Sequence, residues 1–367
     1  MPSAAVEAVA TSDLITLIVT TSPTPSAPST DLLSAVFRSF EPNCPALLDC
    51  AVIVVFDSYD HIVPRSRLKK GQVTAEGALA YEEYKENVKT LVLRTFGTRG
   101  SDDALFVKTE ELAEFGSPNT SPVPLVISST PDGRIRFLEC TERLGFGLAV
   151  RSALRITTTP FVWVHQHDWT LECAIPLKEI LEEMTQAPPR DDPDEEAEAA
   201  PIAYVCLPSP RMLNYATSMH VEMFPRLKAL TAEHGRSSSE GVPLTPLYFW
   251  HDKPHICRRE HYLARVFSSR LAMSRGMFIE DSVGHRARDQ MKAGMWTKWA
   301  TWLYVPGGGA QVCVRHLHGR VWKGKERQKE QIDRWREEGL RRAEEEAAVV
   351  GKVEEEEVLG HSLWAEE

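Results

Sequence analysis

Seven cysteines, odd in number and with no pair spaced as CxxC, do not describe a disulfide framework. They lie mostly inside apolar runs and read as reduced, buried thiols of an intracellular protein. Nor does any apolar run approach the ~18 residues of a membrane span; LITLIV at 14–19 is far too short. The N-terminus lacks the basic stretch of a secretory signal. Its opening, MPSAAVEAVATS, is rich in small residues, as plastid transit peptides are, but it carries Glu7 and no Arg. A cytoplasmic protein is expected, with plastid import or peripheral membrane association as the alternatives. After the first apolar run, TTSPTPSAPST (20–30) holds neither Gly nor Lys. That argues against the Gly-rich phosphate loop of a nucleotidyl-transfer site. There is no internal repeat.

Acid is abundant. The 367 residues carry 52 Asp and Glu against 42 Lys and Arg, a formal net charge of −10. Two segments account for more than all of it: 182–198 has a net charge of −7 and 341–367 of −6. The rest of the chain is therefore mildly basic, at +3. The overall balance speaks against nucleic acid as a partner, while the basic remainder suits a small anionic ligand. The acidic, Pro-containing stretch 182–201 reads as a solvated loop inserted into a domain. Residues 322–349 are helix formers charged all round, which suggests a solvent-facing helix or an arm that binds a protein partner. The last roughly 18 residues have the composition of a disordered end. The expected organisation is a flexible start over 1–11, a domain over 12–321 and a charged helical tail over 322–367.

Within the domain, strand-like and helix-like segments alternate. LITLIV is followed by a helix from about Asp31, where Ser29, Thr30 or Asp31 can serve as N-cap. AVIVVF (51–56) is a second strand, ending in DSYD; a charged helix over 82–96 and the strand IRFLEC (135–140) follow. In RLGFGLAVRSALRI (143–156), Phe146, Ala149, Val150, Ala153 and Leu154 form one apolar helical stripe. The strand FVWV (161–164) then runs straight into His165, Gln166, His167 and Asp168. Strands apolar on both faces, alternating with helices, predict a mostly parallel sheet covered by helices, an α/β fold. Ligands of such sheets gather beyond the carboxyl ends of the strands, where DSYD and HQHD both lie.

In this order of elements, the chain resembles the GT-A glycosyltransferases, in particular the family-2-like kind that uses nucleotide sugars. RLGFGLAVRSALRITTTPFVWVHQHD (143–168) follows that family's layout of a Gly-containing helix, a strand and an acidic triplet. Gly145 and Ala149 stand at its small positions, and Asp168 at the triplet's last acid. MFIEDSVGH (277–285) is similar to the family's acid-pair segment, and VRHLHGR (314–320) to its late metal-binding histidine. Two positions depart from the pattern: Gln166 replaces the triplet's first acid, and Arg151 stands where Asn is common. The likeness covers roughly residues 12–320. It implies a Rossmann-like sheet and transfer of a sugar from a nucleoside-diphosphate donor to the hydroxyl of a carbohydrate or another acceptor.

The chemistry of that reaction assigns roles. The diphosphate leaving group is strongly anionic, and a divalent cation neutralises it; Mg²⁺ prefers oxygen ligands, whereas Mn²⁺ accepts histidine. Asp168, His316 and His318 are the expected metal ligands. Thr20, Thr21, Ser22, Asp57, Gly145, Arg151, Gln166 and Asp168 are expected on the donor side, with Arg286, Arg288 and Arg315 as candidates to meet phosphate charge. An attacking hydroxyl must lose its proton as it attacks, which needs a carboxylate. The resemblance makes Asp281 that base, with Glu280 orienting the acceptor, and direct displacement inverts the anomeric centre. The aromatic span PLYFWHDKPHICRREHYLARVF (246–267) offers Trp250, His255, Arg258 and Tyr262 as acceptor contacts.

Two rival readings stand beside this one. His165, His167, His316 and His318 could form a zinc hydrolase site, since alternation puts each pair on one side of a strand. Alternatively, without the first triplet acid the chain could be a catalytically inactive GT-A-like binding protein that docks through its charged tail.

Overall fold

The computed structural model describes residues 10–97, 106–189, 200–239 and 241–322, together with positions 324, 329, 330, 333, 334, 337 and 341. Residues up to Arg320 form one compact unit and the remainder a second. In the second, the described positions from 329 to 341 are helical. Most of the expected charged helix and the whole of the expected disordered end lie outside the described residues, as do positions 1–9 of the expected flexible start.

α1 (Thr11–Leu14) leads into β1 (Ile15–Thr21), which is buried along its whole length. α2 (Asp31–Asn43) packs Leu33, Val36, Phe37 and Phe40 inward and returns the chain to β2 (Ala51–Phe56). β3 (His61–Ile62) and β4 (Gln72–Val73) make a small parallel pair. α3 (Ala75–Phe96) then starts on Thr74, whose hydroxyl accepts from the Gly77 N–H at 3.0 Å. That cap sets the helix start seven residues before the expected position 82. β5 (Val107–Ala113), β6 (Val123–Ser129) and β7 (Ile135–Cys140) form an antiparallel edge. α4 (Phe146–Ile156) crosses back to β8 (Phe161–Gln166), followed by β9 (Trp169–Leu171) and α5 (Leu177–Gln186). α5 corrects the reading of 182–201 as loop: 182–186 complete a helix whose Ile180, Leu181 and Met184 are buried. Residues 190–199 of that stretch lie outside the described residues. The remaining strands are β10 (Tyr204–Cys206), β11 (Leu244–Pro246), β12 (His255–Arg258), β13 (Thr301–Tyr304) and β14 (Val314–His316).

Ten strands make one sheet in the order β11-β13-β10-β12-β8-β1-β2-β7-β6-β5. β8, β1, β2 and β7 are mutually parallel, as runs buried on both faces require. The flanks differ from the expected mostly parallel pattern. β12 is antiparallel to β8, and β6 is antiparallel to both β7 and β5, so the sheet is mixed. The α/β class itself holds, with helices supplied by the crossovers of the parallel centre. β9 and β14 pair outside the sheet as a two-stranded ribbon, His316 opposite Trp169. Among the described residues no helix is long and apolar enough to cross a membrane.

Candidate active site

The carboxyl ends of β1, β2 and β8 carry Thr20–Ser22, Asp57 and the HQHD segment to one edge of the sheet. Asp57 is buried there, and its two oxygens accept from three backbone N–H groups: Leu144 (2.6 Å), Gly145 (3.0 Å) and Ser58 (3.0 Å). These bonds hold residues 144 and 145 out of the helix, so α4 begins at Phe146 and not at the expected Arg143. Gly145 sits at φ +81°, and a Cβ there would lie 2.5–2.8 Å from the Gly276 backbone. Gly276 in turn donates to the Leu144 carbonyl at 2.7 Å. The Gly turn is thereby clamped to the segment that leads into the acid pair.

Burial outweighs the N–H groups and Arg143, and pushes the Asp57 carboxyl up to about 6 from an ordinary 3.8. Because folding raises this value, the stabilising contribution is complete below the unfolded value and is lost as pH rises through about 6. Urea unfolding of the wild type and Asp57→Asn across pH 4.5–7.5 is expected to show the wild-type advantage narrowing by about 2 kcal/mol towards high pH. A gap that widens with pH would mean the ionised form is the one the fold prefers.

Asp168 follows β8 in a tight turn, 7% exposed. Its Oδ2 accepts from His316 Nε2 and from the Gly319 N–H, each at 2.9 Å, while Oδ1 is buried without a hydrogen-bond partner. A carboxylate accepts, so His316 carries its proton on Nε2. Burial opposes ionisation, but the His316 bond, the charges of His167 and His316, and the Gly319 N–H together hold Asp168 well below the usual carboxylate range. The His316 ring stacks on Trp169 at 4.7 Å and meets the ring of His318 at 4.4 Å; His318 adopts φ +57°. Gly319 leaves no room for a side chain, since a Cβ would lie 2.9 Å from His167 Nε2 and 3.0 Å from Asp168 Oδ2.

His167 Nδ1 receives the Thr21 hydroxyl at 2.7 Å and, more weakly, the Ser22 N–H at 3.4 Å; Tyr84 contacts the same hydroxyl at 2.9 Å. The His167 N–H bonds the Thr20 carbonyl. Gln166, in place of an acid, donates to the Asp252 carbonyl at 2.8 Å. Asp252 and Glu280 then bond reciprocally, each backbone N–H to the other's carboxylate at 3.2 Å. His251 Nδ1 lies 3.5 Å from Glu280 Oε2 and 3.3 Å from Lys253 Nζ. His251, the Asp252 N–H and Lys253 hold the Glu280 carboxyl down to about 2 against burial. Asp252 goes the other way: burial, then the Glu280 charge, raise it well above the ordinary value. Glu280 and Asp281 occupy the first turn of a π-helical segment (Glu280–Gly284). Asp281 is exposed.

Thr20–Ser22, Asp57, Gly145, Gln166, Asp168, His316 and Glu280 are thus linked at one sheet edge through a connected set of bonds, with the His318 ring against His316 and Asp281 next to Glu280 in the chain. Other expected residues do not join them. Arg151 donates to the Glu114 carbonyl beyond the β5 edge. Trp250, His255 and Tyr262 are fully enclosed, ring against ring, so the expected acceptor surface is core. Arg258 sits at the opposite end of β8, over the Phe161 ring, and binds the Met184 and Ile202 carbonyls. Arg286 lies over Trp299, Arg288 bonds Asp289, and Arg315 pairs with Glu172 at 3.1 Å.

The zinc reading fails at His165. That ring is fully buried, its Nδ1 accepting from Trp163 Nε1 (3.1 Å) and its Nε2 donating to the Trp169 carbonyl (2.7 Å), which leaves no nitrogen for a metal. Three participants went unread in the sequence: Asp252, Gly319 and Arg320, an exposed cation over the Phe278 ring. The last two are adjacent to His318, so the HGR triplet itself was the available signal.

No family model and no curated protein matches the chain. Solved structures do. One is the mannosyltransferase PcManGT from Pyrobaculum calidifontis in complex with GDP-Man and Mn²⁺, 14% identical, covering 81% of this chain at a TM-score of 0.33. Another is glucosyl-3-phosphoglycerate synthase from Mycobacterium tuberculosis in complex with Mn²⁺, UDP and phosphoglyceric acid, 13% identical, covering 69% at a TM-score of 0.25. The match takes in 58% of each of those chains. With TM-scores of this size, the fold assignment rests on the strand order and register.

Proposed function

We propose that the protein is a glycosyltransferase that moves a sugar from a nucleoside-diphosphate donor to an acceptor hydroxyl, inverting the anomeric carbon. One observation carries the reading. Asp168 has one oxygen fixed by His316 and Gly319 and the other buried and unpartnered, at the sheet edge that also holds the Glu280–Asp281 turn. Such an oxygen fits a cation. Asp168 and His316 would hold Mn²⁺ or Mg²⁺, His316 Nε2 giving up its proton to do so, with His318 beside them, and the histidine favours Mn²⁺. Among the described residues no three His, Cys, Asp or Glu side chains converge to hold an ion unaided. Donor diphosphate oxygens and water would therefore complete the shell. When bound, the ion neutralises the departing diphosphate.

The chain's own residues do the rest. Thr20–Ser22 and the Gly145 turn, shaped by Asp57, receive the nucleoside and diphosphate. Arg320 adds positive charge beside Gly319. Asp281, exposed to solvent, takes the proton of the acceptor hydroxyl. Glu280, ionised and pinned by Asp252, orients the acceptor. Trp250, His255 and Tyr262 support the loop carrying Asp252 from behind.

A thermal-shift series with nucleotide sugars, with and without Mn²⁺, tests this. A true donor at about 100 times its dissociation constant adds about 2.7 kcal/mol, a rise of roughly 5 °C, larger with the metal. The same donor should release its nucleoside diphosphate when acceptor is supplied. A flat response to every nucleotide sugar would end the proposal.

A further inference from the structure

Cys173 follows β9 and Cys313 precedes β14, so they flank the ribbon that brings His316 onto Asp168. All seven cysteines are free thiols, and among the described residues these two are the pair whose sulfurs touch, at 3.2 Å. The Cys313 backbone is fixed on both sides. The Glu172 N–H bonds the Cys313 carbonyl at 2.8 Å, and the Cys313 N–H bonds the Pro208 carbonyl at 2.9 Å. From 3.2 Å, the sulfurs need approach by only about 1 Å to reach bonding distance. Cys313 is fully enclosed, whereas Cys173 keeps 6% of its surface, so a reagent reaches Cys173 first.

We propose that Cys173 and Cys313 are a dithiol that closes to an intramolecular disulfide, a covalent staple at the base of the β9–β14 ribbon. The oxidant is a small disulfide of the glutathione class. The Cys173 thiolate attacks one of its sulfurs, forming a mixed disulfide and releasing one thiol. The Cys313 thiolate then attacks the Cys173 sulfur, forming the internal bond and releasing the second thiol. Two protein thiols lose two electrons, the reagent's S–S bond gains them, and the two protons leave on the released thiols. The staple closes a loop of 140 residues, a large restriction of the unfolded chain. This inference stands on the ribbon's geometry and does not depend on the transferase reading.

The experiment treats the full chain with oxidised glutathione, blocks remaining thiols with N-ethylmaleimide, and maps peptides without reduction. A linked Cys173–Cys313 peptide is expected, with the other five cysteines unlinked. The unfolding midpoint should rise by about 5–10 °C and fall back with dithiothreitol. Cys173→Ser and Cys313→Ala should each lose both the link and the rise. Should one variant fail to fold, the wild-type peptide map and its reversal by dithiothreitol decide alone. A lasting glutathione adduct on Cys173, or full alkylation of both residues after oxidation, overturns the proposal.

Discussion

Asp168→Asn is expected to lower sugar transfer about 10³-fold, with the fold intact. The amide oxygen can still accept from Gly319 and His316, so the turn survives. What disappears is the negative charge that anchors a cation against the donor diphosphate, and mutational losses of single charge-stabilising groups in closed sites run to about 10²–10³ or more. The Mn²⁺-dependent part of the donor thermal shift should vanish with it. Asp281→Asn is the informative contrast: the shift should persist while transfer falls by about 10²–10⁴, the usual range for a lost general base. Product release by Asp168→Asn within tenfold of wild type would remove Asp168 from the site. Loss of the thermal shift in Asp281→Asn would mean that residue binds donor.

Gly145→Ala should be the most damaging of the small substitutions for stability. At φ +81° an L-residue is strained by about 1–2 kcal/mol before any contact is considered. The added carbon would also stand 2.5 Å from the Gly276 Cα, and backbone cannot swing aside as a long side chain can. A total loss of about 4 kcal/mol is expected, a midpoint drop near 10 °C. Because Gly276 leads into Glu280 and Asp281, any residual folded protein should also transfer poorly. Alanine at Gly77, which lies at ordinary φ with Thr74 Oγ1 3.2 Å from the position of its Cβ, is the control and should cost far less. Equal stability of Gly145→Ala and wild type would mean the Leu144–Gly276 clamp is loose in solution.

The centre of the fold was legible because parallel strands buried on both faces leave unbroken apolar runs, as in β1, β2 and β8. The stripe from Phe146 to Leu154 likewise needs only helical spacing to be seen. Asp168 and His316 stood out as polar groups against strand ends, and the structure joins them. The edge pair was not legible: VKTEELA is six-sevenths exposed, so no burial pattern marks it as a strand. Trp250, His255 and Tyr262 misled because aromatic and imidazole rings serve a core as readily as a sugar site, and only packing tells these apart. Asp252 was invisible for another reason. Its reciprocal bonds with Glu280 span 28 residues, and local spacing carries no trace of such a partnership.

Asp168 and His316 are 148 positions apart, and their meeting depends on a ribbon outside the main sheet. A ribosome that has made the first three hundred residues has already threaded nine of the ten strands of the main sheet, yet the emerging polypeptide still lacks both partners of Asp168 Oδ2. Those partners arrive together, with the final stretch through Gly319. Under the proposed function, premature termination just upstream is expected to yield molecules that bury most of their core yet are chemically silent.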